Sequence, residues 1–274
     1  MPQSPNTAVL RFEQVSVSFE GTEVLSDVSF AAYESESRVI LGAAGSGKTV
    51  MLKTAMGLVK PDSGKVLVFG NDITTLPEQH LFAIRSKIGM LFQESALFDS
   101  MTIEENVAYP LLNQKSIQCP PDQVRPRVEE ALDFVELGQT LEKFPSELSG
   151  GMRRRAAIAR AVVTQPPLLL YDSPTAGLDP ITAHTIMSLL IKERDVSQAT
   201  TLMVTHRYQD GNLIANFRYN SEQGSLEPAH NGAKRVPRTT FMVMKEGRLI
   251  FEGGQDQLEA STDPYICKFV KQRV

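Results

Sequence analysis

The chain predicts an α/β fold built on a parallel sheet that ends in a phosphate-binding loop, and three observations carry that prediction. Continuous apolar runs, Val39-Ile40-Leu41, Leu168-Leu169-Leu170-Tyr171 and Thr201-Leu202-Met203-Val204, read as strands covered on both faces. The first run is followed by Gly42-Ala43-Ala44-Gly45-Ser46-Gly47-Lys48-Thr49 and then by a helical segment, Val50 to Met56, that stops at Gly57. Gln93, Asp172 and His206 stand just past or at the carboxyl ends of such runs, where open parallel sheets bind ligands.

The strand, glycine-rich turn and helix come in the order that a phosphate cradle requires. Glycines let the backbone curl until successive N–H groups point inward. The helix adds unpaired N–H groups and the positive end of its dipole. Lys48 can reach the outer phosphates of a nucleotide, and the Thr49 hydroxyl can serve as a magnesium ligand.

With 274 residues, 42% of them hydrophobic and 22% charged, the chain can bury a sizeable core and fits an ordinary globular protein. A formal charge of −4 and a pI near 5.7 argue against a broad nucleic-acid-binding face. Cys119 and Cys267 stand far apart and outside any metal-ligand spacing, which predicts free thiols in a reducing compartment. Met1 to Thr7 lacks the build of a signal peptide, and no apolar run reaches the ~18–20 residues of a membrane span. Work at a membrane would need other chains to do the spanning.

Taken in order, Val9 to Phe12 and Val15 to Phe19 alternate apolar and polar and predict two antiparallel strands. Glu20-Gly21 is a turn, and Val24-Leu25 and Val28 to Phe30 continue the sheet. Phe19 is open to two readings, a core ring or a ring that stacks on a base. Lys65 to Phe69 predicts a strand, Leu76 to Phe82 a helix, and Ile88 to Phe92 a short buried strand. Residues 94–165 lose strand runs and gain helical periodicity, which predicts a helical insertion with Cys119-Pro120-Pro121-Asp122 as a linker or helix start. Within it Leu148-Ser149-Gly150-Gly151 opens a helix from Met152 to about Val163, a second small-residue N-terminus suited to phosphate. Arg153, Arg154 and Arg155 read as a solvated face. Ser173 to Pro180 is a turn leading into a helix from about Thr182 to Glu193. Residues 207–240 are punctuated by Asn212, Asn216, Asn220, Gly224, Pro228, Asn231, Gly232 and Pro237, predicting an exposed, partly mobile excursion with a small basic cluster, Lys234, Arg235 and Arg238. Phe241 to Met244 and Arg248 to Phe251 predict a closing hairpin before a short helical tail.

With these pieces in place, the sequence resembles the nucleotide-binding subunit of ABC transporters from Val9 to about Val270. The resemblance rests on Phe19, the loop 42–49, Gln93, Leu148-Ser149-Gly150-Gly151, the acidic strand 168–172, Ala176-Gly177-Leu178-Asp179 and His206, in that order. It implies an ABC-type P-loop NTPase fold over residues 8–270, with an antiparallel β subdomain and an inserted helical subdomain at about 94–165. ATP and Mg2+ are the implied cofactors, and ATP hydrolysis coupled to transport the implied activity. By the same resemblance Phe19 stacks on adenine, Gly42 through Thr49 hold the phosphates, Gln93 senses magnesium and water, Asp172 supports the magnesium and His206 contacts the γ-phosphate. Asp179 is counted with the nucleotide-binding residues, and Ser149, Gly150 and Gly151 complete the site of a second copy, which implies a head-to-tail homodimer closed by ATP.

Met90 to Asp99, Glu105 to Leu111, Ser149 to Arg155, Asp179 to Thr182 and Ala260 to Val270 are similar to the Mla/Mce-type lipid-transport ATPases. That similarity implies phospholipid transport, a transmembrane permease partner with an Mce-type lipid-binding protein, and a cytoplasmic place on the inner face of the membrane. It also implies that residues after Gln93 form the groove for the permease; Leu97, Phe98 and Met101 are open to that reading or to ordinary core packing.

Two features depart from the pattern. Ser173 stands where the family has a glutamate that activates the attacking water, and a serine hydroxyl is no base near pH 7. Loss of a positioned general base costs about 10²–10⁴ in rate, or roughly 3–5 kcal/mol of barrier, which predicts tight ATP binding with slow hydrolysis. The 207–240 excursion is also longer than the resemblance implies.

Overall fold

Alternating apolar residues and a Glu-Gly turn build the first layer. The computed structural model describes residues 8–114, 116–229 and 238–271. In it β1 (Ala8–Phe19) and β2 (Thr22–Tyr33) form an antiparallel hairpin. The two expected strands are one, because Gln14 takes φ 50° and the pairing register slips between Phe12 and Val15. That bulge lets Phe12 and Val15 both face the core despite their odd spacing. Next come β3 (Ser37–Leu41), α1 (Lys48–Ala55), β4 (Ser63–Val68) and β5 (Asn71–Asp72). The four-stranded sheet has the order β2-β1-β4-β5.

After it, α2 (Glu78–Arg85) starts later than the expected Leu76, since Pro77 holds its neighbour extended and occupies the cap. Then come β6 (Ile88–Leu91) and three helices, α3 (Ile103–Asn113), α4 (Pro121–Phe134) and α5 (Gly150–Val162), with no strand among the described residues between 92 and 167. A capping box of Thr102 and Glu105 starts α3, and Pro121 at the first position starts α4. The chain continues through β7 (Leu168–Asp172), α6 (Pro180–Ser197) and β8 (Thr200–Thr205). It closes with α7 (Tyr208–Asn216), β9 (Phe217–Asn220), β10 (Ser225–Pro228), β11 (Thr239–Lys245), β12 (Arg248–Gly253), α8 (Gln255–Glu259) and α9 (Pro264–Val270).

The main sheet has the order β12-β11-β3-β8-β7-β6, parallel except for the edge strand β12. Successive side chains on its strands enter different layers. Ile40, Leu168, Leu170, Leu202, Met242 and Met244 pack with the antiparallel sheet and α1. Val39, Leu41, Leu169, Tyr171, Met203 and Phe241 pack against the helices of the opposite side. No helix among the described residues is long and apolar enough to cross a membrane.

Two expectations are corrected. Residues 207–240 are not simply an exposed excursion: α7 lies back on the main sheet, with Tyr208 and Ile214 buried. Gly211 permits that contact, for a Cβ there would stand 2.7 Å from the Phe241 ring. Two of the asparagines that read as loop punctuation, Asn212 and Asn216, sit in α7, where Asn216 donates to Asn212 and Gln255. β9 and β10 are then tied down by buried Arg194, which donates to the Ile214 and Phe217 carbonyls. Lys234 and Arg235, like Asn231, Gly232 and Pro237, lie outside the described residues. Arg153 is exposed as expected, but Arg154 and Arg155 are not part of a solvated face. Each of the three reaches a main-chain carbonyl, of Leu148, Phe92 and Val135 respectively, and Arg154 is buried. The stems of long cations can be covered while their heads hydrogen-bond, so a charge run on a helix can fasten neighbouring segments.

Candidate functional site

The register of the main sheet brings the candidate residues to one edge. Leu41 lies beside Thr205, Val204 beside Asp172, and Tyr171 beside Leu91. The segments leaving these four strands therefore stand side by side: the loop after β3, His206 after β8, Asp172 and Ser173 at the end of β7, and Gln93 beyond β6.

The loop 42–49 curls because two of its glycines cannot be replaced without collision. A Cβ on Gly42 would stand 2.6 Å from the Met244 carbonyl oxygen. Gly47 takes φ 101°, and a Cβ there would meet the Val24 carbonyl at 2.7 Å. The loop is also held from outside, the Gly247 N–H donating to the Ser46 carbonyl at 3.2 Å. Because α1 begins at Lys48, the unpaired N–H groups of its first turn head the loop. Ala43, Ala44, Gly45 and Thr49 are exposed, whereas Ser46 and Lys48 are buried. Lys48 Nζ donates to the carbonyls of Gly42 (2.9 Å) and Ala43 (2.7 Å) and to Ser46 Oγ (3.2 Å). Burial pushes its ammonium pKa down, and the nearby Asp172 carboxylate opposes that shift.

Asp172 is buried, and Ser173 Oγ donates to its Oδ1 at 3.2 Å. Ser173 has φ 47°, fixed by its N–H donating to the Val204 carbonyl at 2.8 Å. Gln93 and His206 are exposed. Arg154 Nη1 reaches the Phe92 carbonyl just before Gln93 at 3.0 Å. Phe19 is 46% exposed at the end of β1, paired with Thr22 in the strand that also supplies Val24 to the loop. Core packing does not hold this ring. Thr49, Asp172 and Gln93 offer hydroxyl, carboxylate and amide oxygens, a hard donor set that fits Mg2+ shared with nucleotide phosphates.

On the helical side, Ser149 caps α5, its Oγ accepting from the Met152 N–H at 3.3 Å. Space beside Gly150 is open, and Gly151 packs so closely on Thr182 that a Cβ would stand 2.6 Å from its methyl. Thr182 in turn belongs to the first turn of α6, capped by Asp179, whose Oδ1 accepts from the Ile181 and Thr182 N–H groups at 3.0 Å each. The Thr182 hydroxyl foremost, and then these N–H groups, hold the Asp179 carboxyl below its usual range.

The sequence reading missed Asp210. Its buried Oδ2 accepts from Thr175 Oγ1 (2.7 Å) and Thr205 Oγ1 (2.8 Å), so it ties the turn after Ser173 to the strand end before His206. Burial pushes this carboxyl up, partly offset by the two hydroxyls. The available signal was an acid on the inward face of a helix directly after a strand. Asp210→Ala would leave both hydroxyls buried without their acceptor, at a cost of about 2–4 kcal/mol. Thermal melting should fall by roughly 5–15 °C, and Asp210→Asn, which keeps an acceptor oxygen, should lose less than half of that.

The family described as "ABC transporter" matches residues 25–176. A probable ribonucleotide transport ATP-binding protein, mkl, of Mycobacterium leprae is 33% identical over 98% of this chain and 70% of its own length. The phospholipid transport ATP-binding protein MlaF of Haemophilus influenzae is 33% identical over 85% of this chain and 78% of its own. The methionine import ATP-binding protein MetN 1 of Staphylococcus aureus is 38% identical over 80% of this chain, which spans 64% of that relative. Among solved structures, a dimeric ATP-binding cassette in a post-hydrolysis state with ADP and phosphate superposes with a TM-score of 0.73 at 29% identity, over 89% of this chain and 98% of that one. A component of the transporter complex cbiONQ from Clostridium perfringens gives 0.73 at 27%, covering 98% and 96%.

Proposed function

The chain belongs to the ABC transporter family of ATP-binding subunits, and on that premise we propose that it drives phospholipid transport through a separate permease as an ATP-closed homodimer. Its general role is that of the ATPase motor subunit of an ABC transporter. The observation that carries the site reading is the shared edge of β3, β8, β7 and β6, which sets the 42–49 loop, His206, Asp172 and Gln93 side by side.

In this reading the loop N–H groups and the head of α1 bind the outer phosphates, and Lys48 turns its ammonium from the loop carbonyls to them. Phe19 offers its exposed ring to adenine, and His206 donates to the γ-phosphate. Thr49, Asp172 and Gln93 supply the oxygens for Mg2+, which neutralises phosphate charge when bound. Ser149, Gly150 and Gly151 of a second copy close over the same nucleotide, with the Asp179 turn beside them. Ser173 directs its hydroxyl at Asp172 and has no basicity near neutral pH, so hydrolysis is slow. That bond also favours a second reading, a clamp gated by ATP binding that hydrolyses poorly.

Phospholipid is preferred over the nucleotide or methionine cargo of the other relatives because of the segments 90–99, 105–111 and 260–270. In the second of these, Tyr109 stacks obliquely on the exposed Phe98, centroids 4.8 Å apart, with exposed Leu112 on the same helix. Buried Asn106 holds this display in place by bonding the Phe98 N–H and the Phe98 and Met101 carbonyls. An apolar surface kept outward in this way suits a permease helix, with Leu97 packed inward on the core beneath it. Affinity purification of the whole chain from membranes should recover a permease and an Mce-type protein. In proteoliposomes the assembly should move labelled phospholipid only with ATP. Recovery with an amino-acid or nucleotide permease would contradict the lipid assignment.

A further inference from the structure

The C-terminal segment that resembles the lipid-transport group has no part in the site as described so far, yet one of its side chains touches the phosphate loop. Tyr265, in the first turn of α9, accepts a hydrogen bond from the Ala43 N–H at 3.1 Å and donates to the Met244 carbonyl at 3.2 Å. That carbonyl is the one that closes on Gly42. We propose that Tyr265 is a positioning residue for ATP binding, through which the C-terminal helix sets the phosphate loop before nucleotide arrives. The inference rests on reading 42–49 as the phosphate site.

The ring is well fixed for this task. Asp263 caps α9 by accepting from the Tyr265 N–H at 2.7 Å, and Ile266 and Val270 anchor the helix in the core. Phe269 meets the ring edge-on at 5.3 Å, and Lys245 Nζ lies 5.4 Å over it. The loop end of the contact is equally constrained. The carbonyl of Ala43 accepts from Lys48 Nζ and from the Ser46 N–H. Tyr265 therefore holds one side of a residue whose other side cradles the phosphate-seeking lysine. Ordering that residue in advance removes part of the cost of binding.

Tyr265→Phe removes the hydroxyl and keeps the ring, so it tests the bond rather than the packing. In the full chain, affinity for a non-hydrolysable ATP analogue should fall about 3- to 10-fold, the worth of one ordered hydrogen bond. KM for ATP should rise by the same factor with kcat unchanged. The Ala43 amide should exchange with solvent several-fold faster, and melting should stay within about 2 °C of the parent. Tyr265→Ala should weaken binding at least as much and lower the melting temperature as well. Unaltered affinity and Ala43 exchange in Tyr265→Phe, or a loss of kcat and stability without a loss of affinity, would overturn the proposal. If the parent chain itself failed to bind the analogue in the same titration, the phosphate-site reading would fall first and the proposal with it.

Discussion

Single-turnover hydrolysis by the Ser173→Glu protein should run about 10²–10⁴-fold faster than by the parent chain. The parent hydroxyl is directed at Asp172 Oδ1, is not basic near neutral pH, and sits on a backbone fixed through Val204. A glutamate at the same place is longer and cannot donate to Asp172 in its charged form, so it is driven outward, toward the proposed place of the γ-phosphate and its attacking water. ATP binding needs none of this, and affinity for the non-hydrolysable analogue should change little. Equal rates from the two proteins would mean that another group activates the water.

Lys48→Ala should have the opposite profile, with ATP affinity down about 100-fold or more. Two lost charge-assisted bonds, at about 1.5–3 kcal/mol each, suffice for that. The nucleotide-free fold should change little, because the buried ammonium already sits at a desolvation cost that its carbonyl partners only partly offset. The same burial gives a pH prediction. In the proposed site the protonated form binds phosphate, and its pKa is depressed, so affinity should be intact at neutral pH and decline as pH rises through that lowered value. The decline should begin at lower pH than an ordinary lysine would give. Isothermal titration across the alkaline range reads it directly.

The layering of this fold was legible where periodicity and turn chemistry agree. Val39 to Leu41, Leu168 to Tyr171 and Thr201 to Val204 are buried on both faces because they lie inside a covered sheet, and their end residues fall at its edge for the same reason. The exposed ring of Phe19 was not decidable from sequence, since a lone aromatic reads equally well as core. The asparagines of α7 misled because loop propensity is local, whereas the Gly211 contact with Phe241 that holds the helix down is tertiary. Arg154 and Arg155 misled for a related reason: carbonyl ends at Phe92 and Val135 are invisible to composition. Asp210 and Tyr265 act across gaps of 35 and 222 residues, beyond the reach of any motif.

In the proposed function, 42–49 and 149–151 are two halves of a site completed between copies, closed by ATP and reopened slowly because of Ser173. Sedimentation of the parent chain with and without ATP and Mg2+ tests it most directly. Dimer should form only with ATP and persist while the nucleotide remains unhydrolysed, and Ser149→Arg should abolish it without weakening the binding of ATP to the monomer. A chain that binds ATP and stays monomeric throughout, or a dimer indifferent to both nucleotide and Ser149→Arg, would contradict the account.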